Sequence, residues 1–393
     1  MENNIKTVYI FGAGASHEMG TPISKGFFST TYQLAEERKI KHRNDEVSCN
    51  YQTIAKYFKK HKNIPIHSCY QKFQPTITNE NSKALEPFYP EKILEEIDKK
   101  IAGFKTQSNF SERDISQEGI LHFQNYRDAF EYIIFWTISK TMNFENNYYE
   151  WMVNSLIWEY NTCIISLNYD TLLDEAIRSK YNRRWSYGIN FSDIDGIPVN
   201  VDLQSEHFNL ILLKPHGSLN WLRCPECNYL SLHWEIEYME RRYIKRGDTT
   251  LPGLILASRN KPCPNCGKKQ GHFLIPPKPN KELEQISQSI MKSASEYISN
   301  ANKIIIIGYS FPDQDEHIKN LLSNSIKTNK NNIEVEVVDI NKIKVQQSVD
   351  KLKKLIDRKV NIFPSEAEGF SDYVKQITSS RQNQNNTKLG GTQ

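Results

Sequence analysis

Six short runs rich in Val and Ile, at residues 7–11, 162–167, 210–214, 303–308, 333–339 and 360–363, most constrain the fold of this chain. Each ends in a turn residue and is apolar almost throughout, which suits strands covered on both faces and hence a parallel sheet. Helix-like periodicity at residues 171–180, 281–299 and 315–325 alternates with them. The pattern predicts an α/β fold: a doubly wound, Rossmann-like parallel sheet of about six strands.

Two long interruptions break the alternation. Residues 29–160 contain apolar-periodic stretches at 128–142 (DAFEYIIFWTISKTM) and 148–160, and read as a helical insertion. Residues 222–277 hold four cysteines in two Cys-x-x-Cys pairs, and read as a small zinc-binding module. Both are expected to lie within one catalytic domain, 1–378. The tail, residues 379–393 (SSRQNQNNTKLGGTQ), has almost no apolar side chains and is expected to be disordered.

Composition excludes more than it assigns. No run approaches the roughly 20 apolar residues of a membrane span. The charged start leads into only about five apolar residues, too few for a signal peptide. These readings lead us to expect a cytoplasmic protein with no membrane partner. Lys plus Arg number 50 against 46 Asp plus Glu, a balance that implies no direct nucleic-acid footprint. Seven cysteines, an odd number without an export signal, favour metal ligation over disulfides. Cys224, Cys227, Cys263 and Cys266 form two knuckles, Cys-Pro-Glu-Cys and Cys-Pro-Asn-Cys-Gly, that suit tetrahedral, structural zinc. The 35 residues between the knuckles, 228–262, exceed the usual roughly 15–20 and predict an extended loop. Cys49, Cys69 and Cys163 read as ordinary thiols, and His233 and His272 as bystanders.

Three polar clusters stand where strands end. Gly12-Ala13-Gly14-Ala15-Ser16 follows the first strand and has the makings of a phosphate-binding turn, although His17 stands where the third glycine of the dinucleotide fingerprint would fall. Ser166-Leu167-Asn168-Tyr169-Asp170 closes the second, and Lys214-Pro215-His216-Gly217-Ser218 the third. Each has a plain alternative: a structural Gly-x-Gly turn, Asn and Asp as helix caps, a satisfied histidine. Ligands in open α/β sheets nevertheless sit at this end of the strands.

Taken in order, Gly12-Ala13-Gly14-Ala15-Ser16, Asn168-Tyr169-Asp170, His216-Gly217, the paired cysteines and Gly308-Tyr309-Ser310 resemble the sirtuin family of NAD-consuming enzymes. The resemblance runs from residue 7 to about 341. It implies that Gly12, Ala13, Gly14 and Ser16 hold the pyrophosphate of NAD, and that Gly308 and Ser310 contact the phosphate and adenosine side. Asp339 and Asn341 would then bind the adenine ribose. Asn168 would position the nicotinamide ribose and a water, Asp170 would read the carboxamide, and His216 would act as general base.

The insertion has no counterpart in ordinary sirtuins and is similar to sirtuin-type effectors of bacterial antiphage defence, which deplete NAD. In deacylating sirtuins the segment after the zinc module pairs with a substrate peptide; here it reads Leu274-Ile275-Pro276-Pro277-Lys278-Pro279, and proline cannot donate a ladder hydrogen bond. The reading is therefore a NAD hydrolase that releases nicotinamide and ADP-ribose. A protein deacylase or ADP-ribosyltransferase, and a silent NAD- or ADP-ribose-binding assembly module, are the alternatives. With little chain after the last strand for a fused sensor, control is expected from a homo-oligomer or from a DNA-translocating ATPase or other phage-sensing partner.

Overall fold

The computed structural model describes residues 7–37, 46–62, 85, 88–106, 113–143, 147–156, 162–181, 185–195, 197–199, 210–234, 262–275, 281–313, 315–356 and 360–389. Outside them lie the segment 276–279, most of the loop between the cysteine knuckles, Cys69 and the last four residues of the tail.

All six expected strands form: β1 (Thr7–Phe11), β2 (Thr162–Ser166), β6 (Leu210–Leu213), β10 (Lys303–Ile307), β11 (Glu334–Asp339) and β12 (Asn361–Glu368). They make one parallel sheet with a two-residue seventh strand, β3 (Trp185–Ser186), in the order β12-β11-β10-β1-β2-β6-β3. β1 and β2 are buried at every residue, as their unbroken apolar sequence requires, whereas β12 lies at the edge and alternates. Pro364, which has no N–H to donate, sits on that edge strand. The order reverses between β1 and β10, and that is where an open α/β sheet offers its crevice.

Helices α7 (Leu172–Tyr181), α8 (Lys281–Asn300), α9 (Glu316–Thr328) and α10 (Lys342–Leu355) complete the α/β layers. The tail departs from expectation. Its helix, α11, runs Phe370–Leu389 and so includes most of the segment expected to be disordered. Phe370, Tyr373 and Val374 are buried in the main core and anchor the first turns. From an anchored nucleus, elongation through polar residues needs no apolar stripe.

Between β1 and β2 the chain forms α1 (Ala13–His17), then α2 (Phe27–Glu37), α3 (Glu46–Lys62), α4 (Pro90–Thr106), α5 (Arg113–Thr141) and α6 (Tyr148–Leu156). Pro90 opens α4 at the first helical position, where a missing N–H costs nothing. These helices close over a second apolar core, in which the rings of Phe28, Phe58 and Phe130 meet edge to face. Arg127 joins Asp98 at 2.6 Å, and also Glu131, tying α5 to α4.

The cysteine-bearing segment builds a second sheet of five strands, β5-β4-β8-β7-β9. β7 (Gly217–Arg223), β8 (Leu230–Leu232) and β9 (Gly271–Leu274) come from the segment itself, β4 (Asp193–Ile194) and β5 (Ile197–Pro198) from upstream. Its sheet thus starts earlier than residue 222. Leu219, Leu222 and Leu274 belong to the insertion's core, and Phe135 of α5 stacks on His272 with ring centroids 4.6 Å apart.

Candidate active site

Every sequence-predicted residue of the NAD site lies at the C-terminal end of a parallel strand: Gly12 to Ser16 after β1, Asn168 and Asp170 after β2, His216 after β6, Gly308 and Ser310 after β10, Asp339 and Asn341 at and after β11. Parallel register puts these ends on one rim of the sheet.

At the reversal point two backbones touch. Gly12 and Gly14 donate their N–H groups to the carbonyls of Ile307 and Gly308, both at 2.9 Å. A Cβ on Gly308, whose φ is +64°, would lie 2.2 Å from Ala15 N, and one on Gly12 would lie 2.6 Å from Gly308 O. Glycine is required here because the two loops pack main chain on main chain. The N–H groups of Gly12 and Gly14 are thus engaged by β10 and its loop rather than turned to an anion. Ala13 is left facing the cleft.

Asn168 is 7% exposed and held from three sides. Its Nδ2 donates to Gly12 O at 3.1 Å, to Ser16 Oγ at 2.9 Å and, more weakly, towards Tyr149 Oη at 3.4 Å. With the amide nitrogen so engaged, Oδ1 is a buried acceptor without a partner among the described residues. Tyr149, on α6 of the insertion, also bonds Ser16 Oγ at 3.0 Å and was not singled out in the sequence. Its position at the start of a predicted helix gave no sign of a polar role.

Asp170 caps α7 by accepting from Leu172 N at 3.2 Å. Burial raises its carboxyl above the ordinary range, opposed first by the Lys214 ammonium. Lys214 is fully buried, pairs with Asp174 at 2.9 Å and donates to Asp170 O at 2.7 Å and Ser218 Oγ at 2.7 Å, so it fastens β6 to α7.

His216 is oriented by its main-chain neighbour. Nδ1 lies 3.0 Å from the Leu167 carbonyl, which can only accept, so Nδ1 carries the proton and neutral His216 presents a bare Nε2. That unprotonated nitrogen accepts a hydrogen bond from Nε2–H of His317, the second residue of α9, at 3.2 Å. Burial, then the His216 ring, push His317 down to about 3, so it is neutral at physiological pH. Asp315 stands within ligand distance of both histidines and accepts from Tyr309 Oη at 3.2 Å. Asp315 and His317 were not singled out in the sequence; their Asp-x-His follows Gly308-Tyr309-Ser310 only after the four residues 311–314, too far from the strand end to stand out as His216 does. The intervening loop is bent at Phe311, a buried aromatic with φ +53°.

A small cleft opens among Ala13, Thr21, Pro22, Leu167, Asn168, Tyr169 and Asp170 on the sheet side, with Phe27, Ile138 and Glu91 from the helices between β1 and β2. Glu91, also missed, accepts from Ser24 Oγ at 3.4 Å. Its carboxyl is pushed up to about 7, by lost hydration first.

The remaining predicted residues sit farther along the rim. Ser310 is exposed and its carbonyl accepts from Lys351 Nζ at 2.8 Å. Asp339 is buried and bonds Ile340 N at 2.7 Å, its carboxyl raised by burial. Asn341 is exposed and caps α10 by accepting from Lys344 N at 3.0 Å. A helix cap accounts for Asn341 by itself.

The four paired cysteines converge, with all sulfurs within 4.8 Å of one another. Cys224 to Cys266 is 3.4 Å and Cys227 to Cys263 is 3.6 Å, far from a disulfide bond and close to the edge of about 3.8 Å expected of a tetrahedron with metal–sulfur bonds of about 2.3 Å. The knuckles are built alike. Asn228 N bonds Cys224 O and Gly267 N bonds Cys263 O, and both donors have a left-handed backbone, φ +59° and +72°. Cys227 is pushed down to about 6, by a hydrogen bond from Asn265 first. This donor set fits a soft or borderline metal ion such as zinc. His233 and His272 are absent from the set.

No curated protein matches the chain in sequence. Solved structures similar to it include one described as the structural basis for the mechanism and regulation of Sir2 enzymes, 12% identical with a TM-score of 0.38 over 96% of this chain and 93% of that one. Another is Sir2 in complex with the inhibitor EX-527, 2'-O-acetyl-ADP-ribose and deacetylated p53 peptide, 10% identical with a TM-score of 0.39 over 96% and 94%. A third, on the structural basis of sirtuin substrate affinity, is 11% identical with a TM-score of 0.39 over 95% and 93%. Residues 162–355, which carry Asn168, His216, the cysteine knuckles and Gly308, match the family profile of the SIR2-like domain, so this part of the chain is a sirtuin-like domain.

Proposed function

We propose that the chain is a NAD hydrolase that binds NAD along the strand-end rim and splits it into nicotinamide and ADP-ribose. The observation that carries this reading is Asn168: its amide nitrogen is tied to Gly12 and Ser16, leaving Oδ1 as a buried, unpartnered acceptor beside the cleft. A buried acceptor without a partner is costly, and a ribose hydroxyl or a water would satisfy it.

In the reaction the bond between nicotinamide nitrogen and ribose carbon breaks with its electron pair going to the ring. Nicotinamide leaves neutral and positive charge develops on the sugar, as in glycoside hydrolysis. Water adds to that carbon and loses a proton to His216 Nε2, the nitrogen left unprotonated by the Leu167 contact, with the water taking the place of the His317 hydrogen bond. Asn168 orients the water and sugar, so that positioning supplies much of the rate. Asp170, next to Asn168 in the cleft wall, would read the carboxamide. Ala13 and Ser16 would lie nearest the pyrophosphate, Gly308 and Ser310 towards the adenosine, and Asp339 and Asn341 at its ribose. Zinc held by Cys224, Cys227, Cys263 and Cys266 would be structural, since four thiolates leave no open position.

Hydrolysis is favoured over peptide deacylation by the prolines after β9 and by α5, which packs on β9 through Phe135 and His272. The helical insertion resembles sirtuin-type effectors of bacterial antiphage defence and supports that role for the enzyme, and because uncontrolled NAD loss would be toxic the activity needs a trigger. A homo-oligomer, a DNA-translocating ATPase or another phage-sensing protein would be its trigger. The test is incubation with NAD alone and with NAD plus acylated peptide. Nicotinamide release without peptide is expected; release only with peptide would assign a deacylase, and binding without release a silent module.

A further inference from the structure

We infer that His216, His317 and Asp315 form a second metal site, for a divalent transition metal such as Zn2+, and that the bound ion holds the NAD-cleaving site off. The first half stands on geometry alone; the second rests on the hydrolase reading above.

The three side chains come from two separate strand ends, His216 after β6 and Asp315 with His317 at the start of α9, yet offer ligand atoms within 4.8 Å of one another. The two Nε2 atoms are 3.2 Å apart. Two imidazoles bound to one tetrahedral zinc at about 2.0–2.1 Å place their nitrogens about 3.3–3.4 Å apart, so little movement is needed to admit the ion. The Leu167 carbonyl holds the His216 Nδ1 proton, which leaves the Nε2 lone pair pointing at His317; an outer hydrogen bond of this kind orients metal-bound histidine.

Asp315 is also prepared. It occupies the N-cap of α9, but its side chain makes no capping bond there. One of its oxygens accepts from Tyr309 Oη at 3.2 Å, which fixes the carboxylate while the other oxygen can face the histidines. Asp315 is 8% exposed and His216 3%, while His317 is half-buried, so the site sits at the edge of the protein interior with one ligand reachable from solvent. Two histidines and one carboxylate leave a fourth position open to water, unlike the closed four-cysteine centre. The consequence for activity is simple. Nε2 of His216 has one lone pair, and a histidine bound to metal cannot take a proton from water.

The experiment uses the full chain with zinc in its cysteine centre, after dialysis against a chelator weak enough to empty only the second site. Co2+ is then titrated while the visible spectrum is recorded. One equivalent is expected to bind with ligand-field absorption and without sulfur-to-cobalt charge transfer, since no thiolate belongs to this site. His317→Ala and Asp315→Asn should each weaken that binding about 10- to 100-fold. Circular dichroism and retained zinc show that the variants are folded. Absence of saturable Co2+ binding, a sulfur charge-transfer band alone, or binding unchanged in both folded variants would overturn the site.

The second half is read by nicotinamide release with and without one equivalent of metal. A loss of about tenfold or more, reversed by chelator and blunted in His317→Ala, is expected. Full activity with metal bound, or activation by it, would overturn the inhibitory role. A chain that binds Co2+ as described but cleaves no NAD under any condition would remove the hydrolase reading and its inhibition, and leave the metal site standing.

Discussion

The sheet side and the insertion side of the cleft reach it by different means. On the sheet side, main-chain register does the placing: β1, β2, β6 and β10 run parallel, so whatever follows each strand arrives on the same rim. On the insertion side, single side chains come from helices: Tyr149 of α6 bonds Ser16 and Asn168 from behind the cleft wall, and Glu91 in the first turn of α4 lines the cleft itself. Changes on the sheet side disturb fold and site together, whereas changes on the insertion side adjust a site that is already built.

The largest expected effect tests the sheet side through Lys214. Lys214→Ala leaves Asp174 buried without its partner, and removing one member of a buried pair costs about 3–5 kcal/mol. Denaturant unfolding measures this, and a loss below about 1 kcal/mol would show that the β6–α7 junction is not held as described. Next comes Gly308→Ala. A left-handed backbone costs a non-glycine residue about 1–3 kcal/mol, and the overlap with Ala15 N should add to it. Thermal unfolding should fall by several degrees, and nicotinamide release should fall with it.

On the insertion side the effects shrink. Tyr149→Phe removes the hydroxyl that bonds Ser16, at a cost of about 0.5–1.5 kcal/mol. Turnover should drop less than in Asn168→Ala, because Gly12 and Ser16 still hold the amide. Equal losses would erase the distinction between the two sides. Glu91→Gln should act least, and only with pH. Its carboxyl is raised from 4.5 to about 7 in the folded chain, so the folded state keeps a proton that the unfolded state has lost. Stability therefore falls as pH rises from about 4.5 to about 7, by about 1 kcal/mol after allowance for solvent screening. The glutamine variant should flatten that slope, and an unchanged slope would place its origin elsewhere.

The same contrast explains what could be read from sequence. Strands buried on both faces write themselves as apolar runs, and all six were legible; β3, β4 and β5, at two residues each, are too short to leave a pattern. The cysteine knuckles were legible because their ligands stand three positions apart. His216 and His317 are 101 positions apart, and only the fold brings their rings together. The roles of Tyr149 and Glu91 were hidden for the same reason, since helical periodicity tells which face is apolar and not which polar residue meets a distant strand end. Polarity misled at the tail, where an anchored helix carries residues that could not form one alone.

The most direct test of the central claim compares the chain with its Asn168→Ala variant, each given NAD and no peptide, with products separated and identified by mass. The native chain should yield equal amounts of nicotinamide and ADP-ribose, and the folded variant should lose about 100-fold or more of that turnover. Equal release by both proteins would contradict the claim.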